Sequence, residues 1–149
     1  MSTKGDKALA YFMQGYNCAQ SVFTAFHEEM GLDEALALRI SSSMGGGVGG
    51  LREVCGTFSG MCMALGGIDG YDLPDDLAAK RQHYARIQSL GARFVEAHGT
   101  LICRDLLQKN GVTPSPLAAE RNAEYYAKRP CAKYVVWCAE TLEDELARG

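Results

Sequence analysis

The chain has 149 residues, a formal charge of −3, 47% hydrophobic and 22% charged residues, and a pI near 5.6. That is one globular domain's length, residues 1–149, and the acidic balance gives no electrostatic reason to expect nucleic acid or an anionic membrane surface as a partner. The first ten residues hold no apolar run, and the uncharged stretch 54–68 is too short and glycine-diluted to cross a bilayer, so a cytoplasmic protein without membrane insertion is expected.

Ala and Leu contribute 34 residues against 11 for Val and Ile, and three-and-four spacing of apolar residues replaces alternation. The pattern predicts helices over 7–14 and 18–30, the second closed by Gly31. Asp33 caps a third running to about residue 44, and a glycine-rich loop follows. A central helix is expected over 52–65, stopped by Gly66-Gly67. A long helix follows over 75–98, then shorter ones over 101–109, 116–128 and 130–146. Short connections between so many helices imply an all-α, single-domain bundle of six to eight members.

Four of the six cysteines fall at expected helix starts. Cys18 follows Asn17, with Gln20 placed to complete a capping box, and Cys55 follows the glycine run. Cys103 follows Thr100, a candidate cap, and Cys131 follows Pro130, a residue suited to the first helical turn. Free N–H groups and the positive end of the helix dipole favour a thiolate there. In a reducing compartment, such cysteines point to metal ligation or redox chemistry before structural disulfides. Cys18 also heads an apolar stripe with Val22, Phe26 and Met30, so plain packing of each thiol is the competing explanation. Cys62 and Cys138 fit that explanation best.

The run Gly45-Gly46-Gly47-Val48-Gly49-Gly50 is the strongest backbone signal. It ends in Leu51-Arg52 where a phosphate-binding loop needs Lys-Ser/Thr, and no strand precedes it for a dinucleotide fold. Gly56 and Gly60 lie four apart on one helix face, a spacing that invites close approach of a neighbouring helix or a cofactor. His98 is expected to close the apolar face of the long helix as a packed, hydrogen-bonded residue. None of the three histidines sits at ligand spacing with another histidine or a carboxylate.

Four segments together carry a resemblance: Tyr16-Asn17-Cys18-Ala19-Gln20, the glycine run followed by Cys55-Gly56-Thr57-Phe58-Ser59-Gly60, Cys103-Arg104-Asp105-Leu106-Leu107, and Cys131-Ala132-Lys133-Tyr134-Val135. They are similar to a bacterial and archaeal family of redox-active proteins with four cysteines and a Cys-Gly-Ala-x-x-Gly motif. Thr57 stands where that motif has alanine. The resemblance implies a redox function and gives no role to Cys62 or Cys138.

Three chemistries remain open. The four thiols converge on an iron–sulfur cluster or zinc, with Gly45, Gly46, Gly47, Gly49, Gly50, Gly56 and Gly60 allowing close approach of the cofactor. Alternatively a low-pKa cysteine, Cys55 for preference, performs thiol–disulfide exchange without a cofactor, aided by Arg52, Arg104, Arg129 or Lys133. Or the chain is a non-enzymatic helical interaction module whose cysteines simply pack. The expected partners are a redox partner protein or a small thiol, and a second copy of the chain docking over the thiol end.

Overall fold

The computed structural model describes residues 3–148, and among them the fold is all-α with nine helices and no strand. In chain order these are α1 (Thr3–Met13), α2 (Cys18–Thr24), α3 (His27–Met30), α4 (Glu34–Ser41), α5 (Gly56–Asp69), α6 (Leu77–His98), α7 (Cys103–Lys109), α8 (Ala123–Lys128) and α9 (Cys131–Arg148). Helix α2 is the hub, packed by α1, α4, α5 and α9. Phe12, Val22, Phe26, Met61, Leu65, Val135 and Leu142 fill the space between them and are almost fully excluded from water.

Local chemistry explains most of the boundaries. Asn17 and Gln20 form the expected capping box at the start of α2. The Asp33 carboxylate accepts the Leu36 N–H at 2.6 Å and starts α4. Gly31 closes α3 at φ 71°. The single helix expected over 18–30 is divided, and the cause is Lys4. Its buried ammonium donates to the Ala25 carbonyl at 3.0 Å while pairing with Glu29 at 2.7 Å, so the break falls where a side chain takes a helical acceptor.

Two further expectations are corrected. Residues 52–55 are not helical: Val54 bridges Ile102 in antiparallel fashion, and α5 begins only at Gly56. It then runs through Gly66-Gly67 and ends at Gly70, because Met30 packs directly on Gly67 and holds that turn in place. The helix expected over 116–128 shrinks to α8. Asn122 caps it at Tyr125 N–H, and the chain before it is a loop tied down by Arg52, whose Nε donates to the Ser115 carbonyl at 2.8 Å.

The glycine run is the unusual element. Gly46, Gly47, Val48 and Gly49 have φ of 65°, 66°, 69° and 58°, a single left-handed turn closed by the Gly49 N–H on the Gly45 carbonyl. Such a turn costs an L-residue roughly 1–2 kcal/mol per position, which three glycines avoid and Val48 does not. Gly47 has no alternative. A Cβ there would lie 2.7 Å from Cys103 Cβ and from the Glu53 nitrogen. Gly66 is the opposite case, right-handed inside α5 with nothing within 4 Å of a Cβ. Gly47→Ala should therefore cost at least about 2 kcal/mol, whereas Gly66→Ala should be neutral or stabilise by up to about 1 kcal/mol. Urea denaturation of the two variants checks the contrast.

Candidate functional site: a four-cysteine cavity

The left-handed turn feeds directly into the site. Its exit is held by Arg52 N–H and Glu53 N–H, which donate to the Gly46 and Gly47 carbonyls at 3.0 and 2.9 Å. Residues 52–55 then run beside 101–104. Cys103 N–H donates to Glu53 O at 2.6 Å and Cys55 N–H to Leu101 O at 2.7 Å. This pairing places Cys55, the N-cap residue of α5, and Cys103, the first residue of α7, on neighbouring segments. The other two thiols arrive from α2 and α9, where Cys18 and Cys131 are also first residues.

All four line one cavity of about 480 Å³. Cys18 reaches it because Gly56 has no side chain: a Cβ at that position would lie 2.6 Å from Cys18 Sγ. Gly45 likewise leaves room for Asn17, whose amide donates to the Ser42 carbonyl at 3.1 Å. Of the glycines expected at a cofactor, Gly45, Gly46, Gly49, Gly50 and Gly56 are on the wall. Gly47 and Gly60 are not. Gly47 is packed between Cys103 and the 52–53 backbone, and Gly60 lets α5 lie against Ala19 and Val22 of α2.

The thiols are set apart by their partners. Cys55 is buried, and its Sγ shares a 3.0 Å hydrogen bond with the equally buried Thr57 hydroxyl. Cys103 is half-buried and accepts from Arg52 Nη1 at 3.7 Å. Of the four, Cys55, preferred above as the attacking thiol, is the most enclosed, while Cys103 has both exposure and a guanidinium. Arg104 points away to Glu53 at 3.7 Å on the surface, and Lys133 is not on the cavity wall.

Burial decides the protonation of the rest. It pushes Cys18 up against the opposing pull of a backbone hydrogen bond from Gly46, and Cys131 up to about 12. Cys55 is raised well above an ordinary thiol by burial, with the charge of Cys18 adding to it. Cys18, Cys55 and Cys131 each feel at least one other cavity thiol, the electrostatic signature of a shared site. Away from the cavity, Cys62 is pushed to about 12 by burial, and Cys138 is raised within the core.

Sequence reasoning missed Arg121. It lies on the cavity wall with Arg52 and Arg129, its guanidinium stacked 4.4 Å from the Tyr125 ring centre and 4.7 Å from that of Phe12. Its spacing to Tyr125, four residues on, is the one sequence signal that marks it. His98 also departs from expectation. It is buried among Phe94, Tyr134 and Trp137 at centroid distances of 4.6–5.0 Å, with no hydrogen-bond partner on either ring nitrogen among the described residues. Burial holds it below the usual histidine range, and the nearby Lys133 and Lys109 add to that.

The donor set suits a soft metal centre, but its arrangement is selective. Sulfurs sharing one zinc ion stand about 4 Å apart. Among the described residues no three His, Cys, Asp or Glu side chains are grouped to hold a metal ion. The four thiols line the chamber without forming such a group.

Fold and site together define a helical protein with thiols and arginines around a common chamber, and no helix among the described residues is long and apolar enough to cross a membrane. A family model described as "Putative redox-active protein (C_GCAxxG_C_C)" matches residues 16–145, and the chain belongs to that family. No curated protein and no solved structure matches it.

The raised thiols carry a stability consequence. Above about pH 9, the ordinary thiol value, the unfolded chain releases protons that the folded chain keeps. The folded state then binds more protons, so stability falls as pH rises, and continues to fall to about 12 for Cys62. Each thiol contributes a slope of up to about 1.4 kcal/mol per pH unit. Urea unfolding at pH 8, 9.5 and 10.5 should show this decline, and Cys62→Ala should make it shallower by one thiol's share.

Proposed function

We propose that this protein carries electrons through an iron–sulfur centre held by Cys18, Cys55, Cys103 and Cys131. The observation that supports it is the meeting of four thiols, spread over 113 positions from residue 18 to residue 131, on the wall of one arginine-lined cavity. Thiolate ligation of iron supplies the one-electron chemistry when the centre is bound. The protein's own part is electrostatic. Arg52, Arg121 and Arg129 offset the negative charge of four thiolates, the Gly46 N–H hydrogen-bonds to the Cys18 sulfur, and the Thr57 hydroxyl does the same for Cys55. Each thiol gives up its proton as it ligates, so loading strengthens as pH rises from 7 to 9. The partner on this reading is a redox protein or a small thiol, reached directly or through a second copy over the thiol end.

Thiol–disulfide exchange is the second reading. The Arg52 guanidinium at Cys103 favours it, with Cys103 as the attacking sulfur in place of Cys55.

Anaerobic reconstitution with iron and sulfide separates the two. We expect visible absorbance with bound iron and sulfide in the unaltered chain and their loss in Cys18→Ser, Cys55→Ser, Cys103→Ser and Cys131→Ser, but not in Cys62→Ser. Equal effects at all five positions, or no retained iron, would sink the cluster. A colourless protein that reversibly loses titratable thiol would establish exchange instead.

A further inference from the structure

We propose that the four-cysteine cavity also binds an organic anion, its charged head on Arg52, Arg121 and Arg129 and its apolar body against Leu106, Leu107 and Tyr134. The inference goes beyond electron transfer, because it stands on the arginines and on the shape of the chamber and needs no metal.

Charge is the first argument. Three guanidiniums line the cavity and no Asp or Glu does. Nor does any of the three pair with a carboxylate elsewhere among the described residues. Arg52 is 8% exposed, and its Nε and Nη1 reach only a neutral carbonyl and a thiol. Arg121 Nη1 is buried without any hydrogen-bond partner among the described residues. A buried guanidinium left this way is costly unless a counter-charge completes it.

Geometry narrows the ligand. Arg121 and Arg129 both lie over the Tyr125 ring, at 4.4 and 4.9 Å from its centre, which restrains both guanidiniums. Stacked guanidiniums keep their in-plane N–H edges for oxygens, and those edges match carboxylate or phosphate groups two at a time. A halide would leave most of these donors idle. Size adds the rest. About 480 Å³ lies within the range of organic-ligand pockets and far exceeds a bare oxyanion. Leu106 and Leu107 are among the most buried side chains of the fold, so the wall they present is one water wets poorly. An anion with an apolar body fills both halves.

Calorimetric titration of the reduced, metal-free chain with phenyl phosphate, inorganic phosphate and benzyl alcohol tests this. Phenyl phosphate should bind at one site at least tenfold more tightly than inorganic phosphate, and benzyl alcohol should give no heat of binding. Raising NaCl from 50 to 500 mM should weaken phenyl phosphate severalfold, a measurement on the unaltered chain that no folding defect can mimic. Arg121→Gln and Arg129→Gln should each cost at least tenfold, while Arg81→Gln on exposed α6 leaves the affinity unchanged. Equal binding of benzyl alcohol, silence with all three probes, or affinity indifferent to both arginine variants overturns the proposal. Iron uptake is scored separately on the same preparation. A chain that takes up iron but ignores phenyl phosphate refutes this site and leaves the electron-transfer reading intact; the reverse result upholds the site and removes that reading.

Discussion

The thiol site depends on one backbone event, the left-handed turn from Gly46 to Gly49. A right-handed turn there would send residues 52–55 in another direction. As built, the turn presents its carbonyls to Arg52 and Glu53 and lays residues 52–55 along 101–104, which holds Cys55 and Cys103 on paired segments. The conformation is costly for Val48, and Arg52 is left-handed as well, at φ 60°. Two long-range hydrogen bonds to the 101–103 segment, at 2.6 and 2.7 Å, offset part of that strain. The same turn sets Arg52 where it can hold the 115 loop and Cys103 at once. Backbone geometry, sulfur position and cation placement are therefore one constraint.

Two electrostatic effects compete at the four helix starts, and their magnitudes decide the outcome. A helix dipole stabilises an anion by roughly 0.3–1 kcal/mol, reaching about 2 in partly buried settings. Burial raises Cys131 from 9 to about 12, a shift of three pH units or about 4 kcal/mol. Desolvation wins, and the helix-start argument for a ready thiolate fails for the buried members of the set. Burial thus favours the neutral form of Cys18, Cys55 and Cys131 on a wall they share with three guanidiniums. On the electron-transfer reading proposed above, ligation supplies the negative charge that these arginines face.

Features set by neighbours in sequence were legible. The Asn17 capping box, the Asp33 cap and the Gly31 stop involve residues three to five apart, and each forms as expected. What was illegible depends on distant partners. Residues 52–55 have the composition of a helix start, but Ile102 draws them into a bridge. The 116–121 stretch looks helical, but Arg52 claims Ser115 and aromatic rings claim Arg121. Gly66-Gly67 reads as a stop until Met30 is seen packed against it. The cysteines follow the same rule. Their positions at helix starts were readable one by one, whereas their common cavity is a property of the fold.

Packing alone accounts for Cys138 and Cys62 but not for the other four. Cys138 is wholly enclosed in the core, with Thr57 beside it, and Cys62 is partly buried on the next helix face; neither lines the cavity. A small hydrophobe would serve at either position. The cavity thiols have different company: three guanidiniums with no carboxylate among them. Thr57 does not draw the contrast, since its hydroxyl serves both Cys55 and Cys138. Arg52, buried with no carboxylate partner, lowers the stability of a merely packed core. Negative charge on these sulfurs, which the proposed electron-transfer reading requires, would offset that cost.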